Sequence, residues 1–270
     1  MSEIQIVATA IGLFVGFVLA LTGAGGGLLS VPLLVFFLHL TIARAVPIAL
    51  LAVMLAAGTA AVLALRAKTV RYKAASLMAL CGFAGAPLGI WAAQRLPNDI
   101  LTFVFVMMMF VVSISMLLQA HRQMHVPSAA EDCVSVQCQV NPALGKLNWT
   151  APCARAMVFV GSLAGFLSGL LGVGGGFIIV PAMRKFTNLD IKSIVATSLA
   201  AVALISVAGV IGYAVHGSIA WFVAWPFAVG SVFGMVVGRR VAHRITGPRI
   251  QQIFAVFALL VGMSLLVKFI

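Results

Sequence analysis

The chain has 270 residues, of which 63% are hydrophobic and only 8% charged. A mean hydropathy of +1.19 leaves too little polar surface for a soluble domain of this size, so the sequence reads as a polytopic membrane protein. The formal net charge of +12 does not indicate nucleic acid, because the basic residues stand in short clusters between apolar runs, the pattern of membrane topology and anionic headgroups.

At the N-terminus, Met1 to Ile4 lacks the basic leader of a cleaved signal peptide, so the first apolar stretch is expected to be retained. Apolar runs of helix length follow at 4–22, 28–38, 42–65, 74–94 and 100–119 in the first half. The second half repeats them at 154–171, 177–186, 191–215, 219–242 and 250–269. Runs of about 18 residues or more can cross a ~30 Å hydrocarbon core, whereas the short arms at 28–38 and 177–186 reach partway.

Both short arms follow a glycine break. Leu21 to Pro32 reads Leu-Thr-Gly-Ala-Gly-Gly-Gly-Leu-Leu-Ser-Val-Pro, and Leu170 to Pro181 reads Leu-Leu-Gly-Val-Gly-Gly-Gly-Phe-Ile-Ile-Val-Pro. Shifted by 149 residues, the halves align without a gap, and ten positions between 12 and 32 are identical. The same offset pairs Leu50 with Leu199, Gly85 with Gly234, Gly89 with Gly238 and Arg95 with Arg244. A period this long is a duplicated half-transporter, not a solenoid.

Charge then selects the path of the chain through each break. If the chain ran straight on, the 17 basic residues would divide almost evenly between the two sides. If it turns back at the glycines, all but Arg44, Arg95 and Lys268 fall on one side, the asymmetry expected of a cytoplasmic face. The expected architecture is therefore an all-α polytopic membrane protein of two inverted-topology repeats, each a glycine-broken helix or hairpin followed by three transmembrane helices. A first repeat occupies 1–120, a cytoplasmic connecting loop 121–153 and a second repeat 154–270, with both termini outside.

Broken backbone survives in hydrocarbon only where it is buried in protein or lines a cavity. If the two corners approach one another, the arms starting at Gly27 and Gly176 present helix-start N–H donors, an anion site that needs no buried cation. Glycine serves there because it bends freely and lets a ligand approach the backbone. The spaced pairs Gly12/Gly16, Gly85/Gly89, Gly161/Gly165 and Gly234/Gly238 read instead as close helix packing. A dinucleotide fingerprint is excluded, since Leu28 and Phe177 stand where its third glycine belongs, and no Gly-Lys-Ser/Thr follows to make a P-loop.

The doubled Gly-x-Gly-Gly-Gly-x-x-x-x-Pro signature and the later Ala196-Thr-Ser-Leu199 resemble the TauE/SafE sulfite-exporter family, also called toluene-sulfonate uptake permeases. The resemblance covers nearly the whole chain. It implies an inner-membrane carrier of small sulfur-containing anions such as sulfite, sulfonates or sulfoacetate, most family members being exporters. The first half departs from the pattern, with Ile48 and Ala49 where the second has Thr197 and Ser198, so polar side chains are expected mainly from the second half. The candidate substrate-binding residues are Thr22, Gly25, Gly26, Gly27, Gly174, Gly175, Gly176, Thr197 and Ser198. No catalytic constellation or cofactor is expected, and the expected partners are a small anion and the bilayer, with no nucleic acid. Composition does not fix the oligomeric state.

Few other residues offer chemistry. Glu3, Asp99, Glu131, Asp132 and Asp190 all fall at ends or loops, which argues against an intramembrane carboxylate relay. His39, His216, Gln94 and Tyr213 end apolar runs and read as interfacial anchors, and Cys81 as a small core residue. Cys133, Cys138 and Cys153 could bind a soft metal or form a redox set, although the spacing is not that of a zinc ribbon. A cytoplasmic loop would keep them reduced. The competing functions are an anion channel, which would show no saturable counterflow, and a membrane sulfur-transfer or redox protein, which would need the loop cysteines.

Overall fold

The structure, a computed structural model, describes residues 3–23, 26–125, 138, 140–141, 146–147, 150–215, 217, 219–245 and 248–269. It is almost entirely helical. The first half holds α1 (Glu3–Thr22), α2 (Gly26–Leu38), α3 (Ile42–Arg66), α4 (Tyr72–Arg95) and α5 (Asn98–His125). The second holds α6 (Ala151–Leu171), α7 (Gly176–Phe186), α8 (Ile191–Val215), α9 (Trp221–Ile245) and α10 (Pro248–Phe269). Each expected apolar run is a helix, with ends that differ by a few residues. Helix α5 runs on to His125, and α6 begins at Ala151. Between them, β1 (Val140–Asn141) pairs antiparallel with β2 (Lys146–Leu147).

Helix ends follow local chemistry. Helix α6 starts after extended Thr150 with proline in its first turn, and stops at Gly172, whose left-handed φ of 74° lets its N–H reach the Ser168 carbonyl. Helix α4 ends at Leu96, whose extended ψ of 136° is the conformation imposed by the following proline.

Among the described residues, seven helices are long and apolar enough to span a membrane: α1, α3, α4, the 98–119 part of α5, α6, α8 and the 221–241 part of α9. Helix α2 and the 251–265 part of α10 are shorter apolar helices. Large side chains such as Leu80, Phe159 and Ile253 point outward at about 70% exposure, which suits lipid rather than water. At the end of α4 the Arg95 guanidinium lies 4.4 Å from the Trp91 ring, a cation–π contact suited to a membrane boundary.

The duplication is visible in the packing. A side chain at Gly12 would strike the Phe227 carbonyl, and one at Gly16 the Ser231 carbonyl, so α1 and α9 touch backbone to backbone and run parallel. The counterparts 149 residues away repeat the contacts: Gly161 faces Met78 and Gly165 faces Gly82, joining α6 to α4. Gly85 against Ser162 is likewise mirrored by Gly234 against Leu13. These glycine contacts between the halves thus recur with the roles exchanged, as in an isologous interface. Small residues permit this approach, and it fills the role that hydrophobic side chains play in water-soluble cores.

Helices α3 and α8 cross antiparallel at the centre. Leu50 meets Gly209, while Val53, three residues on, shares Gly174 with Val202. Arg239 on α9 donates to the Ala60 carbonyl, and the Ser231 hydroxyl, bonded to its own Ala228 carbonyl at 2.8 Å, also lies 3.3 Å from that of Ala52, fixing α9 alongside α3.

Candidate functional site

At both breaks the chain doubles back. A Cβ on Gly26 would lie 2.6 Å from the Val15 carbonyl oxygen, eleven residues upstream, and one on Gly175 would lie 2.7 Å from that of Ala164. A helix continuing straight would hold such positions far apart, so each short arm returns along its own preceding helix. Gly23, Gly172, Gly174 and Gly175 all take φ near +70°, a conformation open to glycine at little cost. The corners also meet. A Cβ on Gly27 would collide with the Val173 carbonyl of the opposite corner, and Val53 touches both Gly27 and Gly174.

These contacts divide the candidate glycines. Gly26 and Gly175 turn their Cα toward the preceding helix and serve hairpin packing. Gly27 and Gly174 turn toward the other repeat. Gly176 opens α7, whose N-cap is Gly175; no side-chain cap and no acidic residue in the first turn compensates that helix start. Gly25 lies outside the described residues. Proline at position 32 in α2 and 181 in α7 leaves the Leu28 and Phe177 carbonyls without their usual donors.

The expected side-chain donors are already engaged. The Thr197 hydroxyl donates to the Ser193 carbonyl at 2.6 Å and accepts the Arg71 backbone N–H at 3.0 Å, tying the start of α4 to α8. Ser198 donates to Val195 at 2.9 Å, and Thr22 to Val18 at 2.8 Å. Two serines not singled out in the sequence behave differently. Ser206 and Ser168 are both 0% exposed, and among the described residues their hydroxyl oxygens have no hydrogen-bond partner. The Ser206 Oγ sits 3.4 Å from the place a Cβ would occupy on Gly174. Ser168 lies in the last turn of α6, where its carbonyl receives the Gly172 N–H. The repeat itself held the signal: at the 149-residue offset, Ser168 matches Leu19 and Ser206 matches Ala57.

The loop cysteines depart from expectation. Cys138 and Cys153 form a disulfide with Cα atoms 5.1 Å apart. Backbone pairing brings them together: the Cys138 N–H donates to the Phe186 carbonyl at 3.0 Å, and Cys138 bridges to Thr187. Cys138 is thereby held at the exit of α7 and joined to the first turn of α6. Neither sulfur is then a thiolate available to a metal, and among the described residues no group of three His, Cys, Asp or Glu could hold one. Closing a 15-residue loop contributes about 3 kcal/mol in the chain-entropy account. Cys133 lies outside the described residues.

Tyr213 is not an interfacial anchor. It is 4% exposed and its hydroxyl donates to the Gly169 carbonyl at 2.8 Å, closing the end of α6 where the helix runs out of its own donors. His39 is exposed with φ 52°, beside a cavity of about 300 Å³ lined by Val35, Thr41, Asn98, Thr102 and Leu265 among others. That cavity lies at the α2–α3 link, away from the corners. His216 lies outside the described residues, Gln94 is exposed and Cys81 is half-buried.

Known proteins resemble this chain along its length. The family described as "Sulfite exporter TauE/SafE" matches residues 8–265. A "Probable membrane transporter protein YunE" of Bacillus subtilis is 26% identical over 268 residues, covering 97% of each chain. A "Probable membrane transporter protein" of Xylella fastidiosa (strain 9a5c) is 29% identical over 261 residues, covering 95% of this chain and 93% of its own. No solved structure matches. A family match spanning almost every helix, on a fold whose apolar helices suit a bilayer, means that this chain belongs to the TauE/SafE family of membrane transporters.

Proposed function

We propose that the protein is a secondary transporter of small sulfur-containing oxyanions, sulfite or organosulfonates, with its site where the two glycine corners meet. The observation that carries this reading is the abutment of Gly27 on the Val173 carbonyl beside the uncapped start of α7. A helix start offers partial positive charge and free donors to an anion, without a fixed cation that would hold it too tightly to release. The name of the matching family supplies the sulfur chemistry.

Alternating access follows from the packing if one repeat rocks against the other about the α3–α8 crossing. Helix directions support an inverted arrangement. Helix α1 runs with α9, α9 runs with α3, and α3 opposes α8. Helix α6 runs with α4, and α4 with α8, because Gly82 meets Ile205 and Ile90 meets Gly212. Helices α1 and α6 therefore point in opposite directions. The basic end, with Arg66, Lys68, Arg71 and Lys73, is read as cytosolic. The disulfide at that end is 0% exposed at both cysteines, out of reach of the thiolate attack by which disulfides exchange.

Reconstituted vesicles should show saturable sulfite or sulfonate flux with counterflow. Ohmic, non-saturating anion current would replace the carrier with a channel, and absence of any sulfur-oxyanion flux would remove the substrate assignment. The orientation has its own measurement. An impermeant maleimide applied to whole cells should label Arg95→Cys and spare Lys68→Cys; the opposite pattern would invert the topology.

A further inference from the structure

We propose that Ser206 and Ser168 are the side-chain donors that hold the oxyanion, so that the second corner reads the ligand and the first only completes the wall. This rests on the anion-transporter reading above. Eight other helix-borne hydroxyls are spent on carbonyls three or four residues back: those of Thr9, Thr22, Ser30, Thr59, Thr102, Ser115, Thr197 and Ser198. That bond is available to any serine in a helix. Ser206 and Ser168 forgo it while fully buried, and a buried hydroxyl without a partner is costly.

The fold does not require the hydroxyls. At the equivalent places in the first repeat stand Ala57 and Leu19, 0% and 1% exposed, with the Leu19 Cβ packed on Gly26. The same geometry is thus built once with apolar filler and once with idle donors. Of the idle donors, Ser206 Oγ approaches Gly174, two residues before the uncapped start of α7, and Ser168 stands in the last turn of α6, the helix that leads into that corner. An –SO3 headgroup carries three acceptor oxygens. Two hydroxyls and the N–H groups of Gly176 and Phe177, ahead of the Ile178 N–H that bonds the Gly175 carbonyl, match them with neutral donors, which bind an anion without trapping it.

The test uses the full-length protein in vesicles and in detergent. Ser206→Ala and Ser168→Ala should each raise the KM for sulfite about tenfold, the loss of one hydrogen bond to a charged oxygen. Each should also shrink the thermal shift that sulfite induces, while leaving the ligand-free Tm unchanged or higher, because an unsatisfied donor has been removed. Ser113→Ala, on α5 and also buried without a partner, should leave the KM for sulfite as in the wild type. A KM within twofold of wild type in both alanine variants would overturn the assignment while leaving the transporter reading intact. A fall in ligand-free Tm would do the same, by showing the hydroxyls to be structural. If the wild type itself neither moves sulfite nor shifts with it, the parent reading fails as well.

Discussion

Leucine at Gly16 or Gly165 should leave no folded protein to extract, whereas alanine at Gly58 should be neutral or slightly stabilising. At the first two positions the neighbour is backbone: a Cβ on Gly16 would strike the Ser231 carbonyl, and one on Gly165 that of Gly82. Backbone cannot swing aside as a side-chain end can, so α1 must part from α9, or α6 from α4. Those contacts run along each helix pair, and in a bilayer there is no hydrophobic drive between helices to recover the loss. The cost should exceed about 4 kcal/mol, in the tail of single-substitution effects. Gly58 has nothing within 4 Å of a built Cβ and sits inside α3. Alanine there gains about 0.5–1 kcal/mol of helix propensity. Size-exclusion profiles of detergent extracts and melting curves read both outcomes. A monodisperse Gly165→Leu protein would mean that α4 and α6 do not meet at backbone distance.

Gly174→Ala should lower flux by about two orders of magnitude in protein that still inserts and folds. Its φ of +74° costs an L-residue about 1–2 kcal/mol. The new methyl would meet Val53 Cγ1 at 2.8 Å, Val202 Cγ1 at 3.1 Å and Ser206 Oγ at 3.4 Å. Those are side-chain ends able to yield, so the fold should persist. The methyl would nevertheless stand between the Ser206 hydroxyl and the backbone that leads into α7. Two hydrogen bonds to a charged ligand, at about 1.5 kcal/mol each, correspond to roughly a hundredfold. Normal flux with intact folding would move the site away from this corner. Valine at Gly26 or Gly175 would not separate flux from folding, because both residues lie against carbonyls of their own hairpin, and valine there should open the hairpin itself.

The corners, the helices and the duplication are legible in the sequence because each is local or self-comparing. Three glycines within an apolar run break a helix wherever they stand, and a fixed offset of 149 residues needs no coordinates. Charge clusters likewise mark one end of the molecule. Ser168 and Ser206 stand out in the sequence only as polar residues aligned with Leu19 and Ala57, outside the signature that includes Thr197 and Ser198. Which hydroxyls are spent on a neighbouring carbonyl depends on rotamers and on helices distant in sequence.

Sequence alone therefore determined the segments, their repetition and the points where the chain must bend. Tertiary structure decided which faces meet: α1 with α9, α4 with α6, Gly27 with Val173, and Cys138 with Cys153. The physical reason is that helices apolar on every side carry no amphipathic stripe to say which face looks inward. In such helices orientation is set by where backbones can come close, and that is a property of pairs of helices, visible only once both are in place.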